Sequence, residues 1–289
     1  MNKRLPFLIV IAFLSVNMFG EVMYPNATFK QFPTEEMMNE TGGTQVIGMS
    51  RNGKYIIGGT YVAGGFIYDV ENDKMIMGGG SAITDDGTVA GGLLTYNINT
   101  GERRVLERNY AYDFMMTNGI SHDGRIVTGC GGPDWTQLHP LYWEDGVLHE
   151  LPFPSTAQVG NFKVNGCRAN GVSDDGSVIF GYFIANPNTN PMIIWERQAD
   201  GSYEYVNVWE NMYEPNHHWV YDYDKKEYEF VRGDNPYCWY EPMVISGNGE
   251  IILMRIQENT ENVSPPSQVG YYHVKSRELK IAPTTRTTL

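Results

Sequence analysis

Ile120-Ser121-His122-Asp123-Gly124-Arg125-Ile126-Val127 decides how this chain is read. An apolar residue leads into a hydroxyl residue, one variable position, an acid or its amide, a glycine, and then a β-branched run. Four other segments repeat the order: Met49-Ser50-Arg51-Asn52-Gly53, Ile83-Thr84-Asp85-Asp86-Gly87, Val172-Ser173-Asp174-Asp175-Gly176 and Ile245-Ser246-Gly247-Asn248-Gly249. Asn-Gly and Asp-Gly supply positive φ angles, which predicts a hairpin that reverses in about two residues. The hydroxyl ahead of them is placed to bond a nearby backbone amide and fix the turn. In four of the five units the following strand reaches a glycine: Gly58, Gly91, Gly129 and Gly181.

Outward from each turn lies a second hairpin. Phe66-Ile67-Tyr68-Asp69-Val70 turns at Glu71-Asn72-Asp73 into Lys74-Met75-Ile76-Met77, and Leu94-Thr95-Tyr96-Asn97 turns through Asn99-Thr100-Gly101. Leu141-Tyr142-Trp143-Glu144 turns at Asp145-Gly146, Ile193-Ile194-Trp195-Glu196 near Asp200-Gly201, and Tyr271-Tyr272-His273-Val274 at Lys275-Ser276. Two hairpins make four strands, the size of a propeller blade, so the fold class read here is all-β, a β-propeller of four-stranded blades. The Ser/Thr anchors are 34, 37, 52 and 73 residues apart. The third gap leaves room for a loop over Pro152 to Gly166. The fourth holds a sixth outer hairpin, Trp219-Val220-Tyr221-Asp222-Tyr223 turning at Asp224-Lys225-Lys226 into Glu227-Tyr228-Glu229-Phe230. Six outer hairpins against five anchored turns mean either a sixth, degenerate blade or an extra hairpin decorating blade four. Decoration is the reading taken.

Composition agrees with a buried β core: 42% apolar and 19% charged residues, with 32 Gly, 19 Tyr and 12 Phe. Residues 1–20 read as a signal peptide, with Lys3-Arg4 ahead of the short apolar run Leu5 to Val16 and no integral membrane domain after its removal. Residues 21–44 form an N-terminal segment in which Thr28-Phe29-Lys30-Gln31-Phe32 is placed as a closing strand. The propeller then occupies 45–289, with an aromatic-rich insertion near 203–240. The expected address is secreted, periplasmic or cell-surface. A net charge of −13, which becomes more negative once Lys3 and Arg4 are removed, repels phosphate backbones and excludes nucleic acid as a partner class. Three cysteines, Cys130, Cys167 and Cys238, are an odd count without zinc spacing. Buried free thiols are the simplest reading.

Two units resemble the HAF-type repeats of secreted bacterial proteins. They are Ala169-Asn170-Gly171-Val172-Ser173-Asp174-Asp175-Gly176-Ser177-Val178-Ile179-Phe180-Gly181, leading to Ile193-Ile194-Trp195, and Thr117-Asn118-Gly119-Ile120-Ser121-His122-Asp123-Gly124-Arg125-Ile126-Val127-Thr128-Gly129, leading to Leu141-Tyr142-Trp143. Only His139-Pro140-Leu141 comes near the His-Ala-Phe of that pattern. The resemblance implies a propeller-like fold in an exported protein and brings no catalytic residue. Propellers of the Tol-associated type share the Asp-Gly turn.

No cluster in the sequence has catalytic spacing, and no cofactor or metal is implied. Asp85-Asp86 and Asp174-Asp175 offer too few oxygens for calcium and read as turn residues. His217-His218 would point to opposite faces of a strand, so they do not chelate together. Glu196 with Glu210 or Glu214 would serve glycoside hydrolysis only at a particular separation across a cleft. Between Tyr203 and Tyr240, 12 of 38 residues are aromatic, against 13% overall. The candidate ligand-binding residues are therefore Trp209, Trp219, Tyr221, Tyr223, Trp239 and Tyr240. Flat rings beside acids and amides suit the C–H faces and hydroxyls of sugars. The function expected is a non-catalytic binding module for a glycan or protein ligand. The alternative is a propeller-fold polysaccharide hydrolase or lyase.

Overall fold

The computed structural model describes residues 44–60, 64–135, 137–154, 158–159, 162–186, 192–206, 208, 219–222, 224–230, 237–258 and 267–282. Residues 1–20, expected to be a signal peptide, and the expected closing strand at Thr28–Phe32 lie outside them. Blade one is β1 (Thr44–Met49), β2 (Tyr55–Thr60), β3 (Gly64–Asp69) and β4 (Lys74–Met77). Blade two is β5 (Ala82–Ile83), β6 (Thr88–Gly91), β7 (Leu94–Asn97) and β8 (Arg103–Val105). Blade three is β9 (Phe114–Ile120), β10 (Ile126–Gly132), β11 (His139–Glu144) and β12 (Val147–Glu150).

Blade four adds a short strand, β13 (Gln158–Val159), ahead of β14 (Phe162–Val172), β15 (Val178–Asn186), β16 (Met192–Arg197) and β17 (Tyr203–Val206). Blade five is β20 (Tyr237–Ile245), β21 (Ile251–Glu258), β22 (Ser267–His273) and β23 (Glu278–Ile281). Each blade is an antiparallel meander, and the chain is a five-bladed all-β propeller. The remaining hairpin, β18 (Trp219–Asp222) with β19 (Glu227–Phe230), pairs only with itself among the described residues, which makes it a decoration. Part of the stretch expected to be a loop, Pro152 to Gly166, is strand instead: β13 and the start of β14 pair through Gln158–Lys163 and Val159–Phe162.

The anchored turns differ in detail from the two-residue hairpin expected. Ser121 N donates to the Ile126 carbonyl and Gly124 N to the Ser121 carbonyl, so four residues make the reversal. In each of the five turns only the glycine has positive φ, at Gly53, Gly87, Gly124, Gly176 and Gly249. The acid or amide instead caps the turn. Ser121 Oγ donates to Asp123 Oδ1 at 2.6 Å, Asp123 Oδ1 accepts the Arg125 amide, and Ser121 Oγ accepts the Ile126 amide. Ser50 with Asn52, Ser173 with Asp175 and Ser246 with Asn248 repeat all three bonds. A true two-residue turn does occur at Asp145-Gly146, where both residues have positive φ.

Neighbouring blades are stapled by repeated bonds. Trp143 Nε1 donates to the Glu107 carbonyl at 2.8 Å, and Trp195 Nε1 to the Pro152 carbonyl at 2.7 Å, each reaching the connector that leads into its own blade. Both rings are fully buried. Arg197 of blade four holds Glu144 of blade three, and Arg277 of blade five holds Glu196 of blade four. One continuous core runs through blades three to five, from Ile126 and Tyr142 through Trp195 to Ile252 and Tyr272.

Candidate functional site

The first strand of each blade lines the central channel. A residue three positions before each anchor, Ile47, Ser81, Asn118, Asn170 and Met243, reaches the same cavity, so all five blades contribute one equivalent side chain. A repeated backbone irregularity puts them there. The ladder slips between Val46 and Gly48 in β1, and between Ala169 and Gly171 in β14. It slips likewise opposite Thr128/Gly129, passing over Asn118, and between Pro242 and Val244 in β20. In four blades the skipped residue is the one that lines the channel. A bulge inserts an unpaired residue and re-aims its side chain, a device common beside binding sites. In blade two Ser81 stands just ahead of the short β5.

The same bulges explain the recurring glycines of the second strands. Gly129 pairs with Thr117 beside the slip, and a Cβ there would collide with the Met116 carbonyl. A Cβ on Gly181 would collide with the Arg168 carbonyl in the same way. In blades one, three and four glycine admits the first strand so close, whereas in blade five Met254 stands opposite Pro242 beside the slip.

The cavity measures about 510 Å³ and is also lined by Gly79, Gly80, Gly91, Gly92, Met116 and Thr117. None of the described residues that line it is ionisable. Ile47 of blade one and Met243 of blade five supply its apolar side and are 56% and 58% exposed. Blades two to four give the polar arc. Ser81 Oγ and Thr117 Oγ1 are 3.0 Å apart, and Asn118 Nδ2 donates to the Ala169 carbonyl at 2.8 Å. Arg168 stands behind this arc, with Nη1 on the Tyr182 hydroxyl and Nη2 3.4 Å from Asn118 Oδ1. Asn170 Oδ1 is buried without a hydrogen-bond partner.

One end of the channel is bridged by the variable residues of the five turns. Asn52 N donates to Asp85 Oδ1, His122 Nδ1 lies 3.7 Å from Asp85 Oδ2, and His122 N donates to the Asp174 carbonyl. Asp174 N donates to the Gly247 carbonyl, and Arg51 pairs with the Asp174 carboxylate. The paired aspartates thus divide their work: Asp86 and Asp175 cap their own turns, while Asp85 and Asp174 tie turns of different blades. Burial alone would raise the Asp86 and Asp175 carboxyls. The Ser/Thr hydroxyl and amide bonds outweigh it and hold both below the ordinary carboxylate range.

The connections between second and third strands, and between blades, leave from the opposite end. So does the insertion that follows β17 and rejoins at β20, since antiparallel strands alternate direction. At that end Trp135, 59% exposed, packs on Phe114 with ring centroids 4.0 Å apart. Tyr112 stacks on His139 beside it, its hydroxyl bonded to Glu150.

Of the candidate residues, Trp209 and Tyr223 lie outside the described residues. Trp219 and Tyr221 are alternate positions of β18, paired with Phe230 and Tyr228, and Trp239 and Tyr240 are at the start of β20. The side chains of these four are outside those described. His217-His218, Glu210 and Glu214 also lie outside, and Glu196 is engaged by Arg277. Cys130 and Cys167 are buried and free. No group of three or more His, Cys, Asp or Glu gathers to hold a metal among the described residues, and no helix among them is long and apolar enough to cross a membrane. Sequence reasoning missed the channel ring and the Phe114–Trp135 pair. Aligning the five units upstream of the anchor, as well as downstream, exposes the ring.

Neither a family model nor a curated protein sequence matches the chain. Solved structures do resemble it. TolB from Acinetobacter baumannii is 11% identical over 82% of this chain, with a TM-score of 0.39, and this chain spans about half of its length (52%). An oligogalacturonate lyase from Vibrio parahaemolyticus is 12% identical, covering 83% of this chain and 77% of its own, with a TM-score of 0.42. A post-proline cleaving enzyme from Rickettsia typhi is 11% identical, covering 88% and 47%, with a TM-score of 0.39. Likenesses of this size supply no residue role or activity, and the functional reading rests on the channel itself.

Proposed function

We propose that this chain is an exported propeller that binds an extracellular ligand, a glycan or a protein, without transforming it. The observation that carries this reading is the lining of the channel, in which five equivalent positions present apolar and neutral polar side chains and no ionisable one. Hydrolysis or elimination on a polysaccharide requires a positioned acid or base within reach of the bond. At the end bridged by the five turns, Arg51 pairs with Asp174, and His122 and the Asn52 amide lie against Asp85. Export is supported by the basic start and apolar run of residues 1–20. The aromatic candidates Trp209, Trp219, Tyr221, Tyr223, Trp239 and Tyr240 belong to the insertion and the strand that receives it. In this reading they extend the binding surface from the open end of the channel. Pull-down of the secreted chain on polysaccharides, with reducing-end release measured in the same samples, tests the proposal. Retention without release is expected. Release would replace binding by catalysis.

A further inference from the structure

The channel ring is divided chemically, and the division points to a ligand. Ile47 and Met243 occupy one side, Ser81, Thr117, Asn118 and Asn170 the other, and the space between them is about 510 Å³. That is within the roughly 300–1,000 Å³ of small-molecule sites. Asn170 is one of the residues lining this cavity, and its buried Oδ1 has no hydrogen-bond partner, a cost that a turn of the amide toward an entering donor would relieve. The cavity therefore asks for a neutral molecule with hydrogen-bond donors on one edge and C–H groups on the other.

We infer that the channel binds the terminal unit of a neutral glycan, its hydroxyls on Asn170, Asn118 and Ser81 and its C–H face on Met243 and Ile47. This deepens the binding reading above and rests on it. A hydroxyl both donates and accepts, so one sugar unit can meet the Asn170 amide and the Ser81–Thr117 pair together. A uronate has no cation to meet among the lining residues, and burying its carboxylate there is unfavourable. Phe114 precedes Met116 by two positions on β9 and shares its face of the strand. Trp135, packed at a tilt on Phe114 and exposed, then offers a flat surface to the next sugar as the chain leaves the channel.

The test uses the full secreted chain with methyl glycosides of glucose, galactose, mannose and N-acetylglucosamine, together with methyl glucuronide. Binding is read by saturation-transfer NMR and by titration calorimetry. At least one neutral glycoside is expected to bind at one site per chain, and at least tenfold more tightly than the uronide. Asn170→Leu, which keeps the volume and removes the amide, should weaken it at least tenfold. Met243→Ala, an exposed position that leaves the core untouched, should weaken it severalfold. Trp135→Ala should spare the monosaccharide and weaken an oligosaccharide of the same sugar. Urea midpoints matching the parent establish that each variant is folded. If polysaccharide is retained but Asn170→Leu and Met243→Ala bind like the parent, the channel assignment is wrong while the binding reading stands. A preference for the uronide, or no binding of any neutral glycoside, also overturns it. Release of reducing ends would overturn the non-catalytic reading instead.

Discussion

Gly58 and Gly59 are neighbours on β2, and the bulge argument assigns them opposite sensitivities. A Cβ on Gly58 would fall within the Gln45 carbonyl and 2.5–2.6 Å from the Phe66 ring, which is fully buried. A Cβ on Gly59 would have nothing within 4 Å. Neither backbone carbonyl nor buried ring can yield cheaply, so Gly58→Ala should cost about 3 kcal/mol, the upper part of the overpacking range. Gly59→Ala should be neutral or gain about 0.5 kcal/mol, because alanine narrows the unfolded ensemble. The two variants are then separated by roughly 3 kcal/mol, or about 6–12 °C in Tm for a domain of this size. Urea unfolding followed by tryptophan emission, with a parallel thermal melt, measures the difference. Equal effects at the two positions would refute the claim that the second-strand glycine exists to admit the bulged first strand.

Other expectations follow from the staples and the turns. Trp143→Phe removes the bond to the Glu107 carbonyl from a buried position and should cost about 1–2 kcal/mol in urea unfolding. Trp135→Ala, exposed, should leave the midpoint unchanged. Arg197→Ala leaves Glu144, to which its Nη2 lies 2.7 and 2.8 Å, with Arg125 alone, and should cost about 1 kcal/mol, less at high salt. Asp86, Asp123 and Asp175 are pulled against burial to below the ordinary carboxylate pKa of 3.8 by hydroxyl and amide donors. Their contribution is therefore complete above that value and is lost as pH falls through the lower folded-state values. An Asp86→Asn/Asp123→Asn/Asp175→Asn variant, using the amide already present at Asn52 and Asn248, should lose less stability than the parent between pH 5 and pH 3. Cys130 and Cys167, whose thiols burial pushes up in pKa, should react with Ellman's reagent only in denaturant when measured in a Cys238→Ser background.

The fold was legible because its signals are local. The Ser/Thr–acid–Gly turn recurs five times, and the outer hairpins carry their own Asp-Gly or Asn-Thr-Gly reversals, so strand number and order could be counted along the chain. The hairpin at Trp219–Phe230 is read as surplus because it lacks an anchored turn, and among the described residues β18 and β19 pair with each other. Reading the turn as a two-residue reversal failed because Asn52 and Asp123 spend their side chains on capping rather than adopting positive φ. The channel ring was hidden for a different reason. Ile47, Ser81, Asn118, Asn170 and Met243 share a position but no chemistry, and the bulge that unites them is a property of backbone pairing between strands. Its trace in the sequence was the second-strand glycine, whose purpose shows only when the Met116 and Arg168 carbonyls are placed opposite Gly129 and Gly181. Aromatic density drew attention to residues 203–240, whereas the Phe114–Trp135 pair is assembled from a strand and a loop 21 residues apart.

The most direct test of the account is retention of the chain on a glycan array, with reducing-end release assayed in the same wells and Asn170→Leu run alongside. The account predicts that the parent is retained on neutral glycans, that nothing is released, and that Asn170→Leu loses retention. Release by the parent chain would contradict it, because the account holds that the ligand is bound without being cleaved.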